Sequence, residues 1–154
     1  MKTATYLSPL GNLTVACHNG KLSQCRWTTE NPSQTSEVCS DILMEKVFCQ
    51  LDEYFTGRRT VFQLPIEAKG TVFQQKIWNI IAGIPYGTTI SYSQLAASAG
   101  MPKASRAVAG ACHANPIAII IPCHRIIGSG GKLTGYAGGI DIKRSLLQLE
   151  LYNP

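Results

Sequence analysis

The run Asn115-Pro116-Ile117-Ala118-Ile119-Ile120-Ile121-Pro122 constrains this chain more than any other stretch. Its aliphatic residues are too few to cross a bilayer and too apolar to face water, so they read as a strand buried on both sides. Pro122 has no amide hydrogen, and sheet pairing must stop there. Cys123, His124 and Arg125 follow at once, placing a thiol, an imidazole and a guanidinium in succession at the end of a buried element. Of six cysteines, at 17, 25, 39, 49, 112 and 123, only Cys123 joins flanking ionisable groups to proline-stiffened backbone. Selective thiolate chemistry needs that setting.

The remaining cysteines are irregularly spaced and form no C-x-x-C pair, so neither a zinc ribbon nor a redox motif is indicated and no metal is expected. Reduced thiols in a cytoplasmic protein are the expectation. An extracellular disulfide framework is the less favoured alternative, because 154 residues with 45% hydrophobic content can bury a core without staples. The polar residues near the start interrupt the apolar stretch a signal peptide would need, and no membrane segment is expected. Charge is unevenly divided. Residues 1–70 hold seven Lys or Arg against seven Asp or Glu, whereas residues 71–154 hold seven against two and so carry the entire net charge of +5. The half containing Cys123 is the basic half, which suits a polyanionic partner and equally suits an uneven scatter of solvated side chains.

Short extended runs open the chain: Thr3 to Leu7, Leu13 to Cys17 and Leu22 to Trp27. The turn signals Ser8-Pro9-Leu10-Gly11 and Asn19-Gly20 separate them and predict a three-stranded antiparallel meander. Cys17 and Cys25 are read as apolar fillers of that sheet. After a polar loop from Thr28 to Ser36, the positions Val38, Ile42, Leu43, Val47, Leu51, Tyr54 and Phe55 recur at helical spacing up to Gly57. Arg58 and Arg59 are read as a solvated loop, and residues 60–71 as a segment crossing between two lobes. A second helix shows Val72, Phe73, Ile77, Ile80, Ile81 and Ile84 on one face and stops at Gly83 and Pro85.

Two short helices follow, one from Ser93 to Ala99 and one opened by Pro102 and running to about Ala114, joined across Gly100 in a helix-turn-helix pattern. The second is unusually smooth. Ala104, Ala107, Ala109, Gly110, Ala111 and Ala114 leave Lys103, Arg106 and His113 as its long polar side chains, too few for reading base edges in a major groove. Such a helix either lies against a narrow surface such as a minor groove with Arg106 projecting, or packs its alanines on another helix. Beyond the Ile126 strand, a glycine-rich loop leads to a helix from about Asp141, with Ile142, Leu146, Leu147, Leu149 and Leu151 on its core face. The glycines fit no nucleotide-binding pattern, so no cofactor is expected. Tyr136 stands on that loop as a wall or lid.

For Cys123 to act as a nucleophile its proton must go somewhere, and His124 is the nearest base. Neighbours in an extended segment point to opposite faces. Either the chain turns sharply after Pro122 or a water bridges the two groups, and Glu150 would orient the imidazole if it reaches the other ring nitrogen. In the structural alternative, His124 is a satisfied core histidine and Glu150 faces solvent.

Pro122-Cys123-His124-Arg125 after Asn115-Pro116 and an aliphatic run resembles the active-site signature of the O6-alkylguanine-DNA alkyltransferases. In the family's order and spacing stand Phe73, Ile77-Trp78, Ile84-Pro85-Tyr86-Gly87, Ser91-Tyr92, Leu95-Ala96, Arg106-Ala107-Val108 and Tyr136-Ala137-Gly138-Gly139. The resemblance covers nearly all of residues 72–152 and is weak before residue 72. It implies an α+β chain: a small N-terminal antiparallel sheet plus helix domain, residues 1–71, then a mainly helical, winged-helix-like helix-turn-helix domain, residues 72–154, that carries the active site. It implies Cys123 as alkyl acceptor, activated through water by His124, which Glu150 orients. Tyr92 is implied as proton donor to the guanine ring, Arg106 as the finger entering the base stack, and Asn115 as the brace of the turn before the thiol. Tyr136, Ala137 and Ile126 would hold the base, while Lys103, Ala107, Ser93 and Tyr92 would meet DNA.

Two positions depart from relatives: Ala137 stands where some have serine, and Ala118 where some have proline. The implied function is irreversible, single-use transfer of an alkyl group from O6 of guanine in duplex DNA to the protein's own cysteine, with O4 of thymine a further candidate. The implied partner is double-stranded DNA containing O6-alkylguanine, bound in the minor groove without sequence specificity by a monomer that needs no cofactor. The competing reading is a non-catalytic helix-turn-helix module that senses damage. A Cys-His hydrolase ranks third.

Overall fold

The computed structural model describes residues 2–30 and 41–152. The far part of the Thr28 to Ser36 loop, the Val38 start of the first helix and Cys39 lie outside the described residues. β1 (Lys2–Ser8), β2 (Gly11–His18) and β3 (Lys21–Thr28) form the expected antiparallel meander, in the order β1-β2-β3. Asn19 and Gly20 adopt φ of 50° and 74°, the paired left-handed geometry of a two-residue hairpin. Leu13, Val15 and Cys17 of β2 alternate inward and meet Leu22 and Cys25 of β3, so the two thiols are apolar fillers of the sheet.

One face of the meander is covered by α1 (Ile42–Phe55). Asp41 starts this helix by accepting from the amides of Leu43 and Met44. Met44, Val47, Leu51 and Tyr54 make its buried stripe. Gly57, at φ 76°, ends it: its amide bonds the Tyr54 carbonyl at 3.1 Å and that of Arg58 bonds Glu53 at 2.8 Å, a Schellman closure. The stop fixes where Tyr54, in the last turn, points.

Three helices then pack together. Thr71 with Gln74 and Ser91 with Gln94 form capping boxes that start α2 (Val72–Ala82) and α3 (Tyr92–Ser98). Ile77, Trp78 and Ile81 are the buried face of α2, and Trp78 Nε1 donates to the Ala111 carbonyl at 2.8 Å. Val72 is 89% exposed rather than on that face, because it lies beside the cap and outside the stripe. α4 (Ser105–His113) begins three residues beyond Pro102, which instead sits in a turn closed by Ala104 N to Met101 O at 2.9 Å. Val108, Ala111 and Cys112 of α4 face the core, leaving Arg106, Ala107, Gly110 and His113 outside. Packing therefore accounts for Val108, Ala111 and Cys112, and the small residues Ala107 and Gly110 lie on the exposed side with Arg106.

The isoleucine run is not a strand. Ile117 alone makes a sheet-like bridge, to Cys25; the chain then folds into a turn, with Ile119 at φ 72° and Ile121 N bonding Ile117 O at 3.0 Å. Asn115 holds this turn from inside, accepting from Ile117 N at 3.0 Å and donating to Ile121 O at 2.8 Å. Apolarity here reports burial, not conformation, since a short apolar run has no period that separates the two. Cys123–Arg125 form one 3-10 turn, and the two-residue strands β4 (Ile90–Ser91) and β5 (Ile126–Ile127) pair in parallel. The final helix α5 (Ile140–Tyr152) buries Lys143, Leu146 and Glu150, whereas Leu151, expected inside, is 66% exposed.

Backbone hydrogen bonds join the sheet to the rest of the chain. Cys25 N bonds Pro116 O at 2.9 Å and Ala118 N bonds Cys25 O at 2.8 Å, while Leu22 is bonded in the same way to Pro65 and Glu67. Trp27 extends the contact to the glycine-rich loop, where a Cβ built on Gly138 would lie 2.7 Å from the indole. That ring is held by a hydrogen bond to Tyr136 and cannot swing aside cheaply. Gly138→Ala is therefore expected to lower stability by about 1–3 kcal/mol, as overpacking does, read as a fall in the thermal midpoint.

Candidate active site

Cys123 is partly exposed at the start of the 3-10 turn, directly after Pro122. Its sulfur accepts a hydrogen bond from Asn115 Nδ2 at 3.2 Å, so the side chain that shapes the turn also touches the thiol. Burial pushes the thiol above its ordinary pKa, opposed by the Asn115 amide and the Lys143 charge. At rest it holds its proton, and a base is required to remove it.

His124 is fully buried. Its Nε2 lies 2.6 Å from Glu150 Oε2, while Nδ1 has no hydrogen-bond partner among the described residues. Glu150 is 2% exposed rather than solvent-facing. Its Oε2 receives Tyr54 OH at 2.6 Å and Arg125 Nη2 at 3.0 Å as well, and its Oε1 receives Arg125 Nε at 2.8 Å and the Gly87 amide at 3.2 Å. Burial would raise this carboxyl, but the hydrogen bonds of His124, Arg125 and Tyr54 outweigh it and hold the group well below the usual carboxylate range. An ionised carboxylate only accepts, so Nε2 carries the imidazole proton and Nδ1 keeps its lone pair. Burial lowers the His124 pKa, with the Glu150 hydrogen bond opposing it, which leaves a neutral base.

The other expected residues divide into two groups. Tyr136 and Ile126 lie with the thiol: Trp27 Nε1 donates to Tyr136 OH at 2.9 Å, and Ile126 is buried in the β5 pairing. Tyr92 is half-buried at the start of α3, and its hydroxyl donates to the Thr134 carbonyl at 3.2 Å; burial raises its pKa and keeps it a donor. Ala137, Ser93, Lys103, Arg106 and Ala107 are exposed. Arg106 and Ala107 share the outer face of α4, with Lys103 in the turn that precedes it.

The sequence reading missed Lys143, Tyr54 and the partners of Arg125. Arg125 is buried, bidentate on Glu150, bonded to the Ile84 carbonyl at 2.7 Å and stacked 5.7 Å from the Tyr86 centroid. Lys143 is buried, bonds the Thr134 carbonyl at 3.0 Å and lies 5.8 Å from the Tyr92 ring centroid. Tyr54 reaches in from α1. Lys143 had a signal, because residues 143, 146 and 150 fall on one helical stripe and Leu146 marks it as the inner one. Tyr54 had none. It looks like any aromatic on an amphipathic helix.

Residues 72–152 match the model for the DNA binding domain of 6-O-methylguanine DNA methyltransferase, and residues 1–68 match the model for that family's ribonuclease-like domain. This chain belongs to the 6-O-methylguanine DNA methyltransferase family. The methylated-DNA–protein-cysteine methyltransferase of Mycobacterium tuberculosis is 47% identical over 145 residues, covering 93% of this chain and 88% of that protein. The constitutive methylated-DNA–protein-cysteine methyltransferase of Bacillus subtilis is 43% identical over 150 residues, covering 93% and 91%. Two crystal structures superpose closely, both 45% identical with a TM-score of 0.86. One is the Mycobacterium tuberculosis O6-methylguanine methyltransferase, covering 99% of this chain and 93% of that one. The other is the Mycobacterium tuberculosis OGT in complex with DNA, covering 97% and 92%.

The Glu150 cluster gives stability a pH dependence. Its carboxyl is depressed in the folded chain, so its contribution is full above the ordinary glutamate value of about 4.3 and is lost as pH falls below it. Urea midpoints of the native chain are expected to drop between about pH 5 and pH 3. Glu150→Gln should flatten that drop and, near pH 7, cost about 3–5 kcal/mol by leaving Arg125 buried without its counter-charge.

Proposed function

We propose that this chain repairs alkylated DNA by accepting an alkyl group, typically methyl, from O6 of guanine on the sulfur of Cys123. The observation that carries the reading is the buried Glu150–His124 pair, one residue from a thiol that Asn115 holds in place. In the proposed step, His124 Nδ1 takes the Cys123 proton through a water, and the thiolate attacks the alkyl carbon in line with its bond to O6. The carbon–sulfur bond forms as the carbon–oxygen bond breaks. Tyr92 donates a proton to the departing guanine, which leaves neutral. The thioether has no leaving group to release it, so each molecule acts once.

Recognition follows from the outer face of α4. Ala107 and Gly110 make it shallow and Arg106 projects from it, which suits a minor groove and replacement of a flipped base in the stack. A base read after flipping needs no sequence-specific flank, and Lys103 and Ser93 would meet the backbone instead. Tyr136, Ala137 and Ile126 would enclose the flipped guanine, and with Ala137 lacking a hydroxyl the O6 atom would be met there by backbone amide. The chain is taken to divide into residues 1–71, which support the site, and 72–154, which hold DNA and thiol. It is taken to act as a cytoplasmic monomer without metal or cofactor. Among the described residues no helix is long and apolar enough to cross a membrane.

Incubation with a duplex containing O6-methylguanine should restore guanine and add one methyl group to the chain. Cys112 and Cys123 share a tryptic peptide, so fragmentation must place the mass on Cys123; binding with neither change would favour a damage sensor. Arg106→Ala should slow repair of duplex by at least about tenfold, a loss of roughly 1.4 kcal/mol, while sparing reaction with the free alkylated base. Equal slowing of both would remove the finger assignment.

A further inference from the structure

The N-terminal lobe reaches the catalytic groups at two points. Trp27 of β3 donates to the Tyr136 hydroxyl, and Tyr54 of α1 donates to Glu150 Oε2 at 2.6 Å, across 96 residues of sequence. The second contact is the closer to the chemistry. Tyr54 and Glu150 are both buried, and the oxygen that Tyr54 bonds is the same one that receives His124 Nε2, also at 2.6 Å.

We propose that Tyr54 is a positioning residue for alkyl transfer: its hydroxyl shares Glu150 Oε2 with His124 and so sets how strongly the carboxylate holds the imidazole proton. This deepens the reading of the preceding section and rests on it. An oxygen that accepts two short hydrogen bonds spreads its charge over both. Withdrawing one strengthens the other, so without the phenol Glu150 binds the His124 proton more tightly and the imidazole becomes easier to protonate. The tyrosine is well suited to the task, because burial and the neighbouring carboxylate keep its own pKa far above the working range, making it a permanent donor. The other charged or titratable groups around the pair among the described residues are Arg125 on both carboxylate oxygens, Tyr86 beside Arg125, and Lys143, Cys123 and Tyr136 on the thiol side. None replaces Tyr54: Arg125 Nη1 is already committed to the Ile84 carbonyl, and Lys143 Nζ bonds Thr134.

The sign is fixed by the mechanism. Transfer needs neutral His124, so its rate falls on the acid side as the imidazole gains a second proton, and raising the imidazole pKa moves that limb to higher pH. Single-turnover methyl transfer to Cys123 from an O6-methylguanine duplex is to be measured from pH 5 to 9 in the native chain and in Tyr54→Phe, alongside an NMR titration of the His124 ring. Tyr54→Phe is expected to move the acid limb and the ring titration upward together by about 0.5–1 pH unit. Replacing Tyr54 alone by 3-fluorotyrosine, a nearly isosteric and more acidic donor, should move both downward, and it keeps the test open if the phenylalanine variant folds poorly. A uniform loss of rate with neither limb nor ring titration displaced would reduce Tyr54 to a packing residue and overturn the proposal. Failure of the native chain to methylate Cys123 would instead remove the repair reading, and the ring titration would still decide the effect of the phenol.

Discussion

One buried anion organises this structure. An ionised carboxylate removed from water is among the costliest groups a core can hold unless donors surround it. Glu150 is met by an imidazole, two guanidinium nitrogens, a phenol and a main-chain amide. The donors come from separate parts of the chain: α1, the turn after α2, and the 3-10 turn that holds the thiol. Each is brought to the same point, so satisfying one charge ties α1, the turn after α2 and the 3-10 turn to α5.

Around this anion the proton affinities are graded in a way that keeps the neighbouring thiol unreactive at rest. Burial holds the thiol protonated and the imidazole neutral, while surrounding donors hold the carboxylate ionised. A protonated thiol reacts slowly with stray electrophiles and oxidants. The Asn115 amide favours the thiolate once formed, and it is anchored on both sides of a turn whose backbone it satisfies. Geometry and reactivity at Cys123 are thus supported by the same side chain.

Local features of the fold were legible in sequence because they depend on local chemistry. Asn19-Gly20 announced a hairpin, the spacing of Leu43, Val47, Leu51 and Tyr54 a helix, and Pro122-Cys123-His124-Arg125 a reactive end. What failed was inference from apolarity to conformation: the isoleucine run is a turn, and Val72 and Leu151 are apolar yet exposed. Polar residues failed in the opposite direction. Lys143 and Tyr54 read as generic and Arg125 only as a neighbour of the thiol, although all three are buried in partnerships that exist only once distant segments meet. Glu150 lies on the same stripe as Leu146, yet the sequence left open whether it reaches His124 or faces water, as a carboxylate near a helix end ordinarily does.

The bonds that complete the site span long stretches of sequence: 96 residues from Tyr54 to Glu150 and 109 from Trp27 to Tyr136. Closing loops of that length costs entropy before any contact repays it, which places such contacts late in folding. A chain that has formed only its hairpins and helices therefore has a cysteine but not its relay. The Glu150–His124 pair is complete only when α1 has docked against α5, so its assembly depends on contacts between the two ends of the chain.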